Sequence, residues 1–344
     1  MATIKQVAAL AGVSPMTVSN VVGSRGQVRE ETRLRVLAAA RELNYSLHGP
    51  ARLLRTGRSR MIGLLLTLAN NETLANFVQS VSKETYEAGY LLSVAVHEYD
   101  KSLEKAQLAA LAEQRVAAVI AFPAGNDGEP YRLLQDAGIP VVFVSHRPPD
   151  INADLVMTDM EGATKAAVLH LLERNYRRVA LLTPPTEMSA SSARVAGYRA
   201  AYLEAGLAVP EGLIRHGLLS ATDACRAMDD LLSTPVPPDA VVASGSALTR
   251  GVLLCLRQRN VAVPRRMAVV GSGELEWGTL TEPPLTATEI DGRQTGHEAL
   301  RLALSRLEWG DRPAEPREVV LPYRLVIRAS SAAGLADGRA VEVS

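Results

Sequence analysis

The sequence predicts a small all-α domain followed by a much larger α/β body built from two similar lobes. Three observations carry this. Residues 3–46 read as three short helices, each with an apolar stripe. From Met61 onward the pattern becomes short apolar strands alternating with amphipathic helices, the signature of parallel sheets covered on both faces. That alternation runs twice, to about residue 159 and again beyond it. At 344 residues the chain is also too long for one ordinary core, which implies two or three domains.

The first helix is expected over about 4–11, because Thr3 and Gln6 have the spacing of a capping box. Ile4, Val7, Ala8 and Ala11 form its apolar stripe, and Gly12 ends it. After a short turn, Ser14 is a good N-cap and Pro15 suits the first helical position. The second helix, about 15–22, then buries Val18, Val21 and Val22 and turns Met16, Thr17, Ser19 and Asn20 outward. A third begins near Glu30, with acids leading and Arg33, Arg35 and Arg41 following, as the helix dipole prefers. Val36, Leu37, Ala40 and Leu43 supply its inner face. Further on, Pro50 opens a segment through Arg55 that Gly57 stops. A helix of little more than one turn is marginal alone.

Charge separates head from body. Up to residue 60 there are ten basic residues and three acids, a balance of +7, and the remainder carries 27 minus 34, or −7. A basic head on an acidic body suits a polyanionic partner for the head alone. Cys225 and Cys255 have no metal-binding spacing, and read as buried free thiols. With no apolar run near the ~20 residues needed to span a bilayer and no apolar leader after Met1, a cytoplasmic, nucleoid-associated protein is expected, with no membrane partner.

In the body, the runs starting at Met61, Tyr90, Ala117 and Pro140 read as strands, with helices near 73–88, 102–113 and 130–137. Strands starting at Arg178, Leu213, Ala240 and Met267 form the second set, with helices near 161–174, 191–206, 222–233 and 247–260. The chain is then expected to return between lobes through Thr286–Ile290, a helix at 292–309, and the run Val319–Ile327. No catalytic constellation emerges. Gly271-Ser272-Gly273 lacks the third glycine of a dinucleotide fingerprint, and Ser244-Gly245-Ser246 does not meet the nucleophile-elbow pattern. The six histidines, including His97, His146, His170 and His297, lack metal spacing, and His170 reads as surface. No cofactor, metal or catalytic residue is expected.

The runs Thr3–Val22, Val28–Tyr45 and Ala51–Leu66 resemble the LacI/GalR family of bacterial transcription regulators, and the resemblance continues to about residue 333. It implies a helix–turn–helix domain at 1–46, a hinge helix and linker at 47–60, and a periplasmic-binding-protein-like type I body at 61–333, followed by a tail at 334–344. Within the body it implies lobe 1 at about 61–159 and 290–318, and lobe 2 at about 160–289 and 319–333, both Rossmann-like. The second helix would lie in the major groove, with Met16, Thr17 and Asn20 at base edges. Thr3, Ser14, Ser19, Arg25, Thr32 and Tyr45 stand where the family meets phosphates; Gly23 replaces its usual asparagine. Leu54, flanked by Arg52 and Arg55, aligns with the wedge that enters the minor groove and kinks the duplex.

The same resemblance implies a homodimeric repressor of a pseudo-palindromic operator, controlled by a small molecule between the lobes. Candidate effector contacts are Arg194, Ser244, Ser246, Glu274, His146 and Asn70. Sugar-binding members commonly carry carboxylates where Ser246 and Gly273 stand, and aromatics where Leu74 and Leu219 stand. Their loss, with Arg194 kept, leaves the effector sugar-derived or anionic; Glu274 and Trp277 would instead suit a different neutral ligand. Two other classes compete: a solute-binding protein, which the basic head opposes, and an α/β enzyme with an accessory helical domain.

Overall fold

A computed structural model of the chain describes residues 2–22, 28–43, 59–67, 72–186, 189–273, 276–309, 315–332 and 342–343. The chain divides into two compact units, Met1–Ser59 and Arg60–Ser344. The predicted hinge residues Arg52, Leu54 and Arg55, the phosphate candidates Arg25 and Tyr45, and the effector candidates Asn70 and Glu274 lie outside the described residues.

The first unit holds α1 (Ile4–Ala11), α2 (Pro15–Val22) and α3 (Glu30–Glu42). The capping box forms as the spacing predicts: the Gln6 backbone N–H donates to Thr3 Oγ1 at 3.4 Å, and the Thr3 N–H donates back to Gln6 Oε1 at 2.8 Å. Gly12 closes α1 at φ 66°, the left-handed conformation that glycine adopts without steric cost. Ser14 Oγ accepts from the Thr17 N–H at 3.1 Å and so caps α2. Val7, Ala8, Ala11, Val18, Val21, Val36, Ala39 and Ala40 make the core. The inner face of α3 is therefore Val36, Ala39 and Ala40, at i, i+3 and i+4. Leu37, expected inside, is exposed, about 100° around the helix from Val36.

The second unit contains two sheets. In the first, β1 (Met61–Leu66), β2 (Leu91–Val96), β3 (Ala118–Ala121), β4 (Val141–Val144), β5 (Asp154–Thr158) and β11 (Glu318–Leu321) are all parallel, in the order β11-β5-β4-β3-β1-β2. The connecting helices are α4 (Glu72–Glu87), α5 (Lys101–Glu113) and α6 (Glu129–Asp136), with α11 (Gly292–Trp309) against α4 and the middle strands. In the second sheet, β6 (Val179–Leu182), β7 (Ile214–Arg215), β8 (Ala240–Ala243), β9 (Ala268–Ser272) and β10 (Thr286–Glu289) are parallel, in the order β10-β9-β8-β6-β7. β12 (Arg324–Val326) runs antiparallel beside β10, and β13 (Glu342–Val343) antiparallel beside β12. Its helices are α7 (Met160–Glu173), α8 (Ser189–Glu204), α9 (Ala221–Leu232) and α10 (Ser246–Gln258).

The chain thus crosses between lobes three times: after β5, after β10, and between β11 and β12. The last crossing falls after Leu321, not at 318 as the sequence suggested: Glu318–Leu321 pairs with β5, and Pro322, which has no N–H for a ladder, separates it from β12. β5 escaped the strand reading because it opens on a charge. Asp154 is buried, and accepts from Arg306 Nε and the Arg317 N–H, both at 2.8 Å, which ties β5 to α11 and the last return. Burial alone would raise the Asp154 carboxyl pKa, but these bonds outweigh it and hold it below the usual range.

Two further expectations are corrected. His170 is buried, not surface: its ring Nε2 lies 2.7 Å from Ser331 Oγ, because the last segment folds over α7. Burial, with Arg174 nearby, pushes its pKa down to about 4. Of the two cysteines only Cys255 is buried; Cys225 is half-buried, and both are free thiols. Among the described residues no helix is long and apolar enough to cross a membrane.

Candidate DNA-reading face and interlobe cleft

In the head, the chemistry sits on α2. Val18 and Val21 point into the core, which leaves Met16, Thr17 and Asn20 on the other side. Met16 is 70% exposed, more than Leu34 at 59% or Leu10 at 48% in the same domain, while Thr17, Ser19 and Asn20 are half-buried. An amide at position 20 can donate and accept at once, which is what the adenine edge requires. Thr3 and Ser14 are exposed at the N-termini of α1 and α2, and Thr32 is half-buried in the first turn of α3. Their placement at helix starts brings unsatisfied N–H groups with them, a good setting for phosphate. The Thr3 hydroxyl is already engaged, donating to Gln6 Oε1 at 3.1 Å, and Ser14 Oγ lies 2.9 Å from Thr17 Oγ1.

In the body, each sheet reverses its strand order between two neighbouring strands, β1/β3 in the first and β6/β8 in the second. Loops at the carboxyl ends of such strands diverge and leave a crevice. A cavity of about 230 Å³ lies there, lined from the first lobe by residues following β1, β3 and β4 and from the second by residues following β6 and β8. Four of the six effector candidates meet on it: His146, Arg194, Ser244 and Ser246. Leu219 lines it too, whereas Leu74 lines an adjoining cavity of about 180 Å³. Trp277 packs against the core of the second lobe instead.

Arg194 comes from the second turn of α8. It is half-buried on the cleft wall, and burial pushes its pKa down to about 10. It remains charged at neutral pH. Its Nη1 donates to Ala190 O at 3.4 Å and its Nη2 to Met160 Sδ at 3.3 Å. α10 starts after Gly245, which has φ 85° and contributes no side-chain cap, so its first-turn N–H groups remain for a ligand. Gly273, at φ 106°, stands within 4.0 Å of the Ser246 N when a Cβ is built on it. The carboxylate that sugar-binding members carry there is replaced by a residue suited to that backbone.

Sequence reasoning missed several lining residues, among them Tyr99, Phe122, Ser145 and Ser191. A buried histidine places two of them. His97 Nε2 lies 2.9 Å from Phe122 O, and the Tyr99 N–H donates to His97 Nδ1 at 3.2 Å. A carbonyl only accepts and an N–H only donates, so Nε2 is the donor and Nδ1 the acceptor in this pair of contacts. Ser145 has φ 74°, a left-handed conformation uncommon outside glycine, and its N–H is held by Val156 O at 2.8 Å. His146 Nε2 faces Gly125 O at 3.3 Å, and burial lowers its pKa in spite of that bond. None of these roles has a local sequence signature.

Comparison with known proteins agrees with both halves of this picture. The family profile "Bacterial regulatory proteins, lacI family" matches residues 3–47, and the profile "Periplasmic binding protein-like domain" matches residues 168–331. The ribose operon repressor of Escherichia coli (strain K12) is 31% identical over 308 residues, covering 89% of this chain and 93% of that protein. The HTH-type transcriptional repressor PurR of Vibrio campbellii is 30% identical over 329 residues, covering 95% and 98%. Among solved structures, the transcriptional regulator CelR–cellobiose complex matches with a TM-score of 0.73 at 29% identity, over 96% of this chain and 100% of that one. The lac repressor dimer bound to operator and the anti-inducer ONPF shares the fold, with a TM-score of 0.82 at 24% identity over 96% and 99%. A capped helix–turn–helix head, a two-lobed body with a cleft at its strand ends, and full-length likeness to known repressors together make this chain a member of the lacI family of bacterial regulatory proteins, a DNA-binding transcriptional regulator.

Proposed function

We propose that the chain is a homodimeric repressor that reads a pseudo-palindromic operator and releases or grips it according to a small molecule held between its lobes. The observation that carries this is the outward face of α2, where Met16, Thr17 and Asn20 stand opposite the Val18–Val21 core. In this reading Asn20 pairs with a base edge, Met16 touches a thymine methyl, and Thr3, Ser14, Ser19, Arg25, Thr32 and Tyr45 hold phosphates. The head is residues 1–46, and the hinge, 47–60, carries the Leu54 wedge between Arg52 and Arg55. Two heads then read two half-sites related by the dimer's two-fold axis.

Exposed apolar residues on the body support self-association. Tyr86, Leu91 and Val94 stand at the end of α4 and along the edge strand β2, and Leu254 and Leu280 flank an open groove of the second lobe. In the cleft, Arg194, Ser244, Ser246 and His146 contact the effector, with Asn70 and Glu274 as further contacts. Lobe closure around that ligand alters the separation of the two hinges, and so the stability of a hinge helix that is marginal alone. The body regulates and does not catalyse.

A gel-shift assay of the full chain against the DNA upstream of its own gene tests this reading. Salt-sensitive binding that survives excess nonspecific DNA is the expected result. Binding no tighter than to random DNA, with a catalytic turnover that persists without residues 1–60, would favour the enzyme class instead.

A further inference from the structure

We infer that the cleft is built for an amphipathic organic acid: a carboxylate held by Arg194, Ser191 and the start of α10, with an apolar or aromatic body in the adjoining chamber. This rests on the effector-controlled reading above and gives it a ligand class.

The carboxylate end has three supports. The first is charge. Arg194 is a half-buried cation on the cavity wall, and among the described residues neither chamber is lined by a carboxylate. A guanidinium has five N–H donors, and the contacts Arg194 makes to a carbonyl and a thioether are both to neutral groups. A partly desolvated charge of this kind favours a counter-ion. Second, Ser191 is 1% exposed, lines the same cavity one helical turn before Arg194, and has an Oγ with no hydrogen-bond partner. A buried hydroxyl left unpaired is costly, and a ligand oxygen would satisfy it. Third, Ser246, Ala247 and Leu248 line the cavity at the uncapped start of α10, where N–H groups and the helix dipole both favour an anion.

The apolar end is the second chamber. Leu74, Phe77, Val144, Val156 and Ile290 form its walls, and Thr67, Phe122 and Ser145 line both chambers. Met160 joins them, since it lines the second chamber while its sulfur contacts Arg194. A volume of about 180 Å³ is slightly larger than the ~150 Å³ that accommodates a benzene ring. A neutral sugar would bring no counter-charge to Arg194 and would place hydroxyls against the apolar side of this chamber. A sugar phosphate would satisfy the first chamber only.

Full-length protein is melted with phenylacetate, hexanoate, the neutral isostere phenylacetamide, ribose, cellobiose and inorganic phosphate, and binding is then titrated by calorimetry. The two acids are expected to raise Tm by a few degrees, and the amide and the sugars to leave it unchanged. Ser191→Ala is expected to weaken phenylacetate binding several-fold, and Arg194→Gln by at least about tenfold. Equal shifts with phenylacetamide, a shift with the sugars or phosphate alone, or no shift with either acid would each overturn the assignment. So would a Ser191→Ala protein that binds phenylacetate as tightly as the native chain, since Ser191 would then be an orphan of packing alone. Gel shifts in parallel separate the two levels: specific DNA binding with no response to acids sinks only the ligand class, and absent specific DNA binding sinks the regulator reading.

Discussion

Gly197 is the tightest point between the two helices that carry Arg194 and its sulfur neighbour. A Cβ placed on it would lie 2.1 Å from the Glu161 carbonyl oxygen and 2.9 Å from the Glu161 carbonyl carbon. An aliphatic carbon normally keeps about 3.3 Å from such an oxygen, so Gly197→Ala must part α7 and α8 locally by roughly 1 Å. Overpacking of this kind costs about 1–3 kcal/mol, and the better helix propensity of alanine returns up to about 1 kcal/mol. The net expectation is a loss of about 1–2 kcal/mol and a fall in Tm of about 2–6 °C for a body of this size. Gly212→Ala is the control, since nothing lies within 4 Å of its built Cβ. Urea and thermal unfolding of the full-length proteins make the comparison. The same wedge moves α8 relative to Met160, so effector affinity is expected to fall along with stability. A Gly197→Ala protein as stable as the native chain and indistinguishable from Gly212→Ala would show that the helix crossing has slack, and the reasoning would fail.

Asn20→Ala is expected to cost about 1–3 kcal/mol of operator binding at particular base pairs, read by competition among single-position operator variants; an equal loss on every sequence would make Asn20 a backbone contact. Leu54→Ala should reduce the DNA bend and the specific affinity while leaving the body's unfolding transition in place, and an unchanged bend angle by circular-permutation gel shift would remove the wedge. His170 supplies a pH signature. Its folded pKa, about 4, is below the usual value of 6.5, so the stability it contributes is present above pH 6.5 and is lost as pH falls from there towards 4. About 2 kcal/mol should disappear between pH 7.5 and pH 5 and be largely absent in His170→Gln; parallel acid profiles for the two proteins would refute that assignment.

Much of the head was legible because its signals are local. A capping pair, a left-handed glycine, a Ser-Pro start and an acidic first turn each act within four residues, and the three helices begin where those signals stand. Leu37 shows the limit, since side chains on either side of one stripe compete for the same core and small Ala39 packs closer. Strand–helix alternation likewise gave the two lobes. What escaped depends on partners far along the chain. Asp154 begins a buried strand only because Arg306 and the Arg317 amide, more than 150 residues later, compensate it. His170 is buried by Ser331, 161 residues away. In the cleft, Arg194 and the Ser244–Ser246 turn were visible as residue types in a known order. Tyr99, Phe122 and Ser191 become neighbours only when strand ends from both sheets are brought together.

The three crossings between the lobes impose an order on synthesis. The three described helices of the head end at Glu42, whereas the first sheet gains its outer strand only at Glu318–Leu321 and the second gains β12 later still. At about 5–20 residues per second, roughly 15–55 s separate those events on the ribosome. Once β5 is made, its outer edge stays unpaired until β11 follows, and Asp154 waits for Arg306 of α11. A nonsense mutation between residues 60 and 318 therefore spares the nucleic-acid-reading helices and removes a strand from the first lobe. Such truncations should aggregate or be degraded, rather than persist as regulators that have merely lost their ligand.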